Sequence, residues 1–115
     1  MAILDDLRQA VTGALSESAS AARAQGTALK GDFEAFVKPQ LDDMLVKVEF
    51  ITSNYVAGNI GKEQAQENLT IQRNRIQPII LAVAELALQA VQVIINAVAD
   101  AVKNTVNTAA GIALL

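Results

Sequence analysis

Asp5 with Asp6, Asp42 with Asp43, and Glu63 with Glu67 are the side chains whose types and spacing come nearest to a catalytic or metal-binding arrangement. Adjacent acids point about 100° apart on a helix, so neither Asp pair can act as a proton-sharing dyad. Glu63 and Glu67 do share a face, but a di-metal carboxylate bundle needs Glu-x-x-His pairs, and the chain has no His. It also has no Cys, which removes thiolate nucleophiles, disulfides and the usual zinc ligand sets. Ser16, Ser18, Ser20 and Ser53 have no base at readable spacing. Gly58 and Gly61 do not make a phosphate loop. The expectation is a protein that is not an enzyme, with no catalytic residue, cofactor, metal or small-molecule substrate.

Glu85 is unusual for its surroundings. It interrupts IILAVAELALQAVQVIINAVADAVKNTVNT, residues Ile79 to Thr108, which contains neither Pro nor Gly. Its residues are mostly good or adequate helix formers. The run predicts one helix of about 30 residues, about 45 Å long. Glu85, Gln89, Gln92, Asn96, Asp100, Lys103 and Asn107 recur at steps of three and four and form a polar stripe about 80° wide. Opposite it lie Val83, Ala87, Ala90, Ile94, Ala97 and Ala101, a seam rich in Ala that lets a second helix approach closely. Ile80, Leu88, Val91, Ile95 and Val98 flank this seam on one side, and Ile79, Leu86 and Val93 on the other. Surface helices usually show an apolar stripe against a wider polar face. Here the proportions are inverted, so the helix needs cover from its own chain, from other subunits or from lipid. A carboxylate in such a run is costly unless it meets water or a partner. Glu85 therefore sits either on the wet face of a bundle helix or inside a ring or channel with Gln89, Gln92, Asn96 and Asp100. The ladder from Glu85 to Asn107 would span about 33 Å, near the bilayer's hydrocarbon thickness of about 30 Å. Ile79 to Ala99 carries one formal charge and has the length of a membrane span, although its polar stripe and the lack of flanking Trp or Tyr argue against a constitutive anchor.

The remaining elements must position this helix. Residues 1–31 read as an N-terminal helix, from Ala2 to Ala24, followed by a hinge bracketed by Gly26 and Gly31. Residues 32–57 read as a middle helix with Asp32 as N-cap. Pro39 would kink it or start it afresh, leaving Phe33 and Phe36 in a short docking turn. Phe33, Phe36, Phe50 and Tyr55 are expected in the core. Gly58 fits the residue that ends this helix, with Ile60 packing back. Residues 62–108 read as the long helix, kinked near Pro78, and residues 109–115 as an apolar tail docked on a neighbour or in lipid. The fold class is all-α: a helical hairpin or small bundle with a long apolar C-terminal helix, completed by oligomerisation.

Composition agrees. Of 115 residues 52% are hydrophobic but only 3% aromatic, which favours Ala/Val/Ile/Leu helix packing in one domain. A net charge of −3 without a basic patch argues against nucleic acid as the main partner. Arg73 and Arg75, the one local basic pair, read as a solvated helix face. The opening MAILDDLRQ has neither the basic start nor the apolar stretch of a secretory signal.

The run YVAGNIGKEQAQENLTIQ, the apolar helix after it and the tail TVNTAAGIALL resemble small helical virion proteins of tailed phages, including those ejected to form a conduit across the envelope. The resemblance covers about the last 60 residues, rests on pattern, and carries over no site residues. The wide apolar arc and the Ala seam lead to the expectation of a non-enzymatic assembly subunit that oligomerises through its C-terminal helix, with itself or other subunits as partners, and the resemblance agrees with it. The alternative is a reversible lipid-surface binder, similar to phasin-like or apolipoprotein-like helices. A third is a secreted helical-hairpin adaptor, whose family's Trp-x-Gly turn is replaced here by Tyr55-Val56-Ala57-Gly58.

Overall fold

The computed structural model describes residues 3–115, so Ala2 as a helix start lies outside the described residues. Among the described residues there are five helices and no strand: α1 (Ile3–Ala24), α2 (Phe33–Val56), α3 (Lys62–Arg73), α4 (Ile76–Ala84) and α5 (Leu88–Ala110). α3 and α4 form one bent leg, and with it the chain is a four-legged up-down-up-down bundle. α1 packs on α2, α2 on α3 and α4, α4 on α5, and α5 back on α1, the most extensive contact; α2 also meets α5 diagonally. Directions follow from side chains. Arg8 reaches Asp42 while Arg23 reaches Glu34, so α1 and α2 are antiparallel. Ala22 near the end of α1 lies beside Ala90 at the start of α5, and Asp6 beside Thr108, so that pair is antiparallel too.

Each leg buries one stripe. α1 buries Ile3, Leu7, Val11, Leu15, Ser18, Ala19 and Ala22 at helical spacing. Its late Ser/Ala tract packs rather than frays, because small side chains let α5 come close. Ser18 and Thr52 are the buried polar residues, and each hydroxyl donates to the carbonyl four residues back, Ala14 and Val48. α5 buries Val91, Ile94, Ile95, Val98, Val102 and Val106. The accessible surface is 6065 Å², close to the roughly 6,000 Å² of an ordinary monomer of this mass. The wide apolar arc is thus largely covered within one chain.

Glycine sets three of the turns. Gly26 (φ 90°) and Gly58 (φ 81°) each close a Schellman motif: Thr27 N–H donates to Ala22 O (2.9 Å), and Asn59 N–H to Asn54 O (2.8 Å). Ile60 packs against the core as expected. Asp32 does precede α2, but its side chain makes no capping bond.

The structure differs from the sequence expectations at five places. α2 runs unbroken through Pro39. Ala35, whose carbonyl Pro39 cannot serve, is exposed, so water can take the vacant bond. The chain bends at Asn74–Arg75, not at Pro78, which lies in the first turn of α4 where no backbone donor is required. The helix expected from Ile79 to Thr108 is two helices divided at Glu85–Ala87. Among the described residues no helix is long and apolar enough to cross a membrane. The tail docks on its own chain: Leu114 is buried, and Asn107 Oδ1 accepts from Leu114 N–H (2.8 Å) and Leu115 N–H (3.0 Å) beyond the Gly111 turn. Asn107→Ala should cost about 1–2 kcal/mol in urea unfolding. The same variant should abolish exchange protection at Leu114 and Leu115, read by hydrogen exchange. The fifth difference concerns the aromatics. Phe33 alone is fully buried, Tyr55 is half-buried, and Phe36 and Phe50 are exposed.

Candidate interaction surface

The predicted polar stripe is split by the division of the long helix. Gln89, Asn96, Asp100 and Lys103 lie exposed along the outer face of α5. Half-buried Gln92 donates to Asn96 Oδ1 (2.9 Å). Asn107, at its far end, holds the tail. Glu85 is not on the α5 face at all. It takes the left-handed conformation (φ 54°, ψ 36°) after α4, and its N–H donates to Leu81 O (3.0 Å). Its exposed carboxylate accepts from Lys30 Nζ in the α1–α2 loop. A side chain with a Cβ in this conformation costs about 1–2 kcal/mol, and an exposed, solvent-screened ion pair offsets little of it. Tertiary packing of α4 and α5 must hold the turn.

The predicted seam is not a uniform face either. Ile94 is buried, Val83, Ala97 and Ala101 are half-buried, and Ala87 and Ala90 are exposed. The core stripe of α5 is rotated from the seam toward its larger flank, Val91, Ile95 and Val98, because those side chains remove more apolar area from water. On the other flank Val93 remains 62% exposed.

A surface that the sequence reading missed lies on α2. Its inner face carries Phe33, Val37, Leu41, Met44, Leu45, Val48 and Thr52. On the other side Phe36, Pro39, Asp43, Val46 and Phe50 recur at steps of three and four, so they share one outward face. Phe36 is 59% exposed, Phe50 66% and Val46 43%. The ridge is about 21 Å long from Phe36 to Phe50. At its middle Asp43 accepts from Arg75 Nη2 (3.1 Å) and lies 3.7 Å from Lys47 Nζ, so its charge is locally matched. The 3–4 alternation is legible in the sequence, but an apolar period alone does not say which face of the helix goes inside. Beside the ridge an open cleft of about 330 Å³ between α1 and α2 is lined by Val11, Thr12, Pro39 and Leu45 and edged by the Arg8–Asp42 pair.

Among the acids, Glu34, Asp42, Asp43 and Glu85 are engaged in ion pairs. Asp42 accepts from Arg8 at 2.6 and 3.0 Å, and Glu34 from Arg23 at 2.8 and 3.1 Å. These hydrogen bonds hold both carboxyls below their ordinary values, and Arg75 followed by Lys47 does the same for Asp43. A carboxyl lowered in the folded state contributes stability above its unfolded pKa and loses it as pH falls through the folded one. The urea midpoint should therefore stay nearly flat from about pH 5.5 to 8, where no side chain of ordinary pKa titrates in a chain without His. It should fall with acid below the ordinary values of 4.5 for Glu and 3.8 for Asp. Salt should shrink the effect, since these pairs face water. Among the described residues no three carboxylates gather into a metal-holding group, and no buried side-chain polar atom lacks a partner. No family model, curated protein or solved structure matches this chain.

Proposed function

We propose that the chain is a non-enzymatic helical assembly subunit that associates with further copies of itself through the outer ridge of α2. The observation that carries this is the exposure of Phe36, Val46 and Phe50 together on one face of α2, whereas Ile71 and Val93, the other strongly exposed apolar side chains, stand on separate helices. Exposed apolar residues that recur on one helix face mark contact surfaces, and the charge of Asp43 between them is matched by Arg75 and Lys47. Phe side chains supply much of the energy of such contacts at little entropic cost. The C-terminal helix is a weaker candidate for the seam, because Ile94 is already buried and Ala97 and Ala101 are half-covered by the chain's own legs. A tailed-phage virion is the setting implied by the C-terminal pattern, and it belongs to the proposal.

Light scattering on protein purified without detergent tests this. Wild-type protein should run as a discrete oligomer and the Phe36→Ser/Phe50→Ser variant as a monomer of unchanged helicity. A wild-type monomer at about 100 μM, well above the Kd of a micromolar contact, would overturn it. The same ridge, with Lys38 and Lys47 on α2, would also suit a lipid headgroup layer. Flotation of the wild type, but not of the double Ser variant, with phosphatidylglycerol vesicles would favour that reading.

A further inference from the structure

We propose that the turn at Glu85–Ala87 is a conformational switch, and that in a hydrocarbon environment α4 and α5 merge into one helix from Ile76 to Ala110. Local sequence opposes the turn. Ala84-Glu85-Leu86-Ala87-Leu88 contains only Ala, Glu and Leu, among the best helix formers. The other sharp turns with positive φ use glycine, at Gly26, Gly58 and Gly111; Glu85 is the one non-glycine residue with positive φ among the described residues. On the far side Ala87 starts α5 with no side-chain cap bond, at a position where Ser, Thr, Asp or Asn would serve. Nothing local therefore favours the turn, and a strained conformation is held where only surrounding structure can hold it.

The phase of the polar ladder supplies an independent observation. Glu85, Gln89 and Gln92 continue across the turn at steps of four and three, in register with Asn96 and Asp100. That register aligns side chains only in a continuous helix. In the folded bundle it is broken, since Glu85 is turned out to Lys30. The sequence thus encodes a helix that the bundle interrupts.

What holds the bundle form is the Lys30 contact and the burial of Ile76, Ile80 and Ala84. Merging the helices strips that cover, which water opposes and hydrocarbon does not. The merged segment from Ile79 to Ala99 would have one formal charge and a length of about 30 Å, which matches a bilayer interior. Two packings of one sequence that differ modestly in free energy are the basis of such switches.

The absence of Cys makes the test direct. Gln77 and Asn96 are exposed and line one cleft where α4 folds back on α5. Spin labels on the Gln77→Cys/Asn96→Cys variant should be within about 20 Å in buffer, whereas in a merged helix the two Cα atoms stand about 28 Å apart. Phosphatidylcholine vesicles should bring out a second population near that longer distance. It should grow when Lys30→Ala or Glu85→Ala is added, and vanish when Leu88→Pro is added, because Pro fits the first turn of α5 but not a merged helix. A short distance alone in vesicles, with either Ala change present, would overturn the proposal. So would a long population that survives Leu88→Pro, since it would report separated rather than merged helices.

Discussion

Phe33→Ala should cost about 3–5 kcal/mol in urea unfolding, as removal of a fully enclosed aromatic side chain does. Phe33 is 1% exposed and opens α2 where the chain returns from the α1–α2 loop. No other aromatic side chain is equally buried, so none is at hand inside the core to fill the cavity. Phe36→Ala and Phe50→Ala should each stay within about 0.5 kcal/mol, the usual range for surface positions. The contrast tests which face of α2 is inside. Equal losses at all three positions would show that the outer ridge is covered within the monomer. The same variants separate folding from assembly: Phe33→Ala should lower the midpoint at every concentration, and the two ridge variants should lower the mass of the assembled species and lower the midpoint only at concentrations where the wild type is assembled.

Gln92→Pro should cost about 3 kcal/mol or more, because it removes a bond within the second turn of α5 and places its ring against the carbonyl of Leu88. Gln92 is only half-buried, so the loss comes from the backbone rather than from packing. Leu88→Pro, four residues earlier, should stay within about 1 kcal/mol of Leu88→Ala. Ala87 has φ −65° and ψ 149°, the extended conformation required before Pro, and the first amides of a helix have no partner to lose. If α4 and α5 were continuous in water, Pro at either position would be equally damaging. The ratio of the two losses, read from urea midpoints in buffer, reports whether the turn is closed.

Much of the bundle is present in local sequence. The helical period of α1, the glycine stops at Gly26, Gly58 and Gly111, and the inner stripe of α2 each depend on residues within a turn or two of one another. Their side chains point where the helix period sends them, whatever the rest of the chain does. The absence of His and Cys narrowed the chemistry in the same way, because a missing functional group is missing in any fold. The outer ridge of α2 was also written in the sequence. It was hidden because two apolar faces on one helix look like a single broad one until a neighbour claims one of them.

Tertiary structure alone decided the rest. Glu85 to Leu88 have no local reason to leave the helix, and the turn exists because folding α4 back buries Ile76, Ile80 and Ala84 against the other legs. Which flank of α5 faces inward was set by the larger area that Val91, Ile95 and Val98 bury, not by the Ala seam. The tail found its place on Asn107 because that side chain happened to end an outer stripe beside the Gly111 turn. Local sequence fixes helix period and stops through contacts of low entropy cost. Where a helix must be broken, or which of two apolar faces goes inside, depends on burial between residues far apart in the chain, and that term has no local signature.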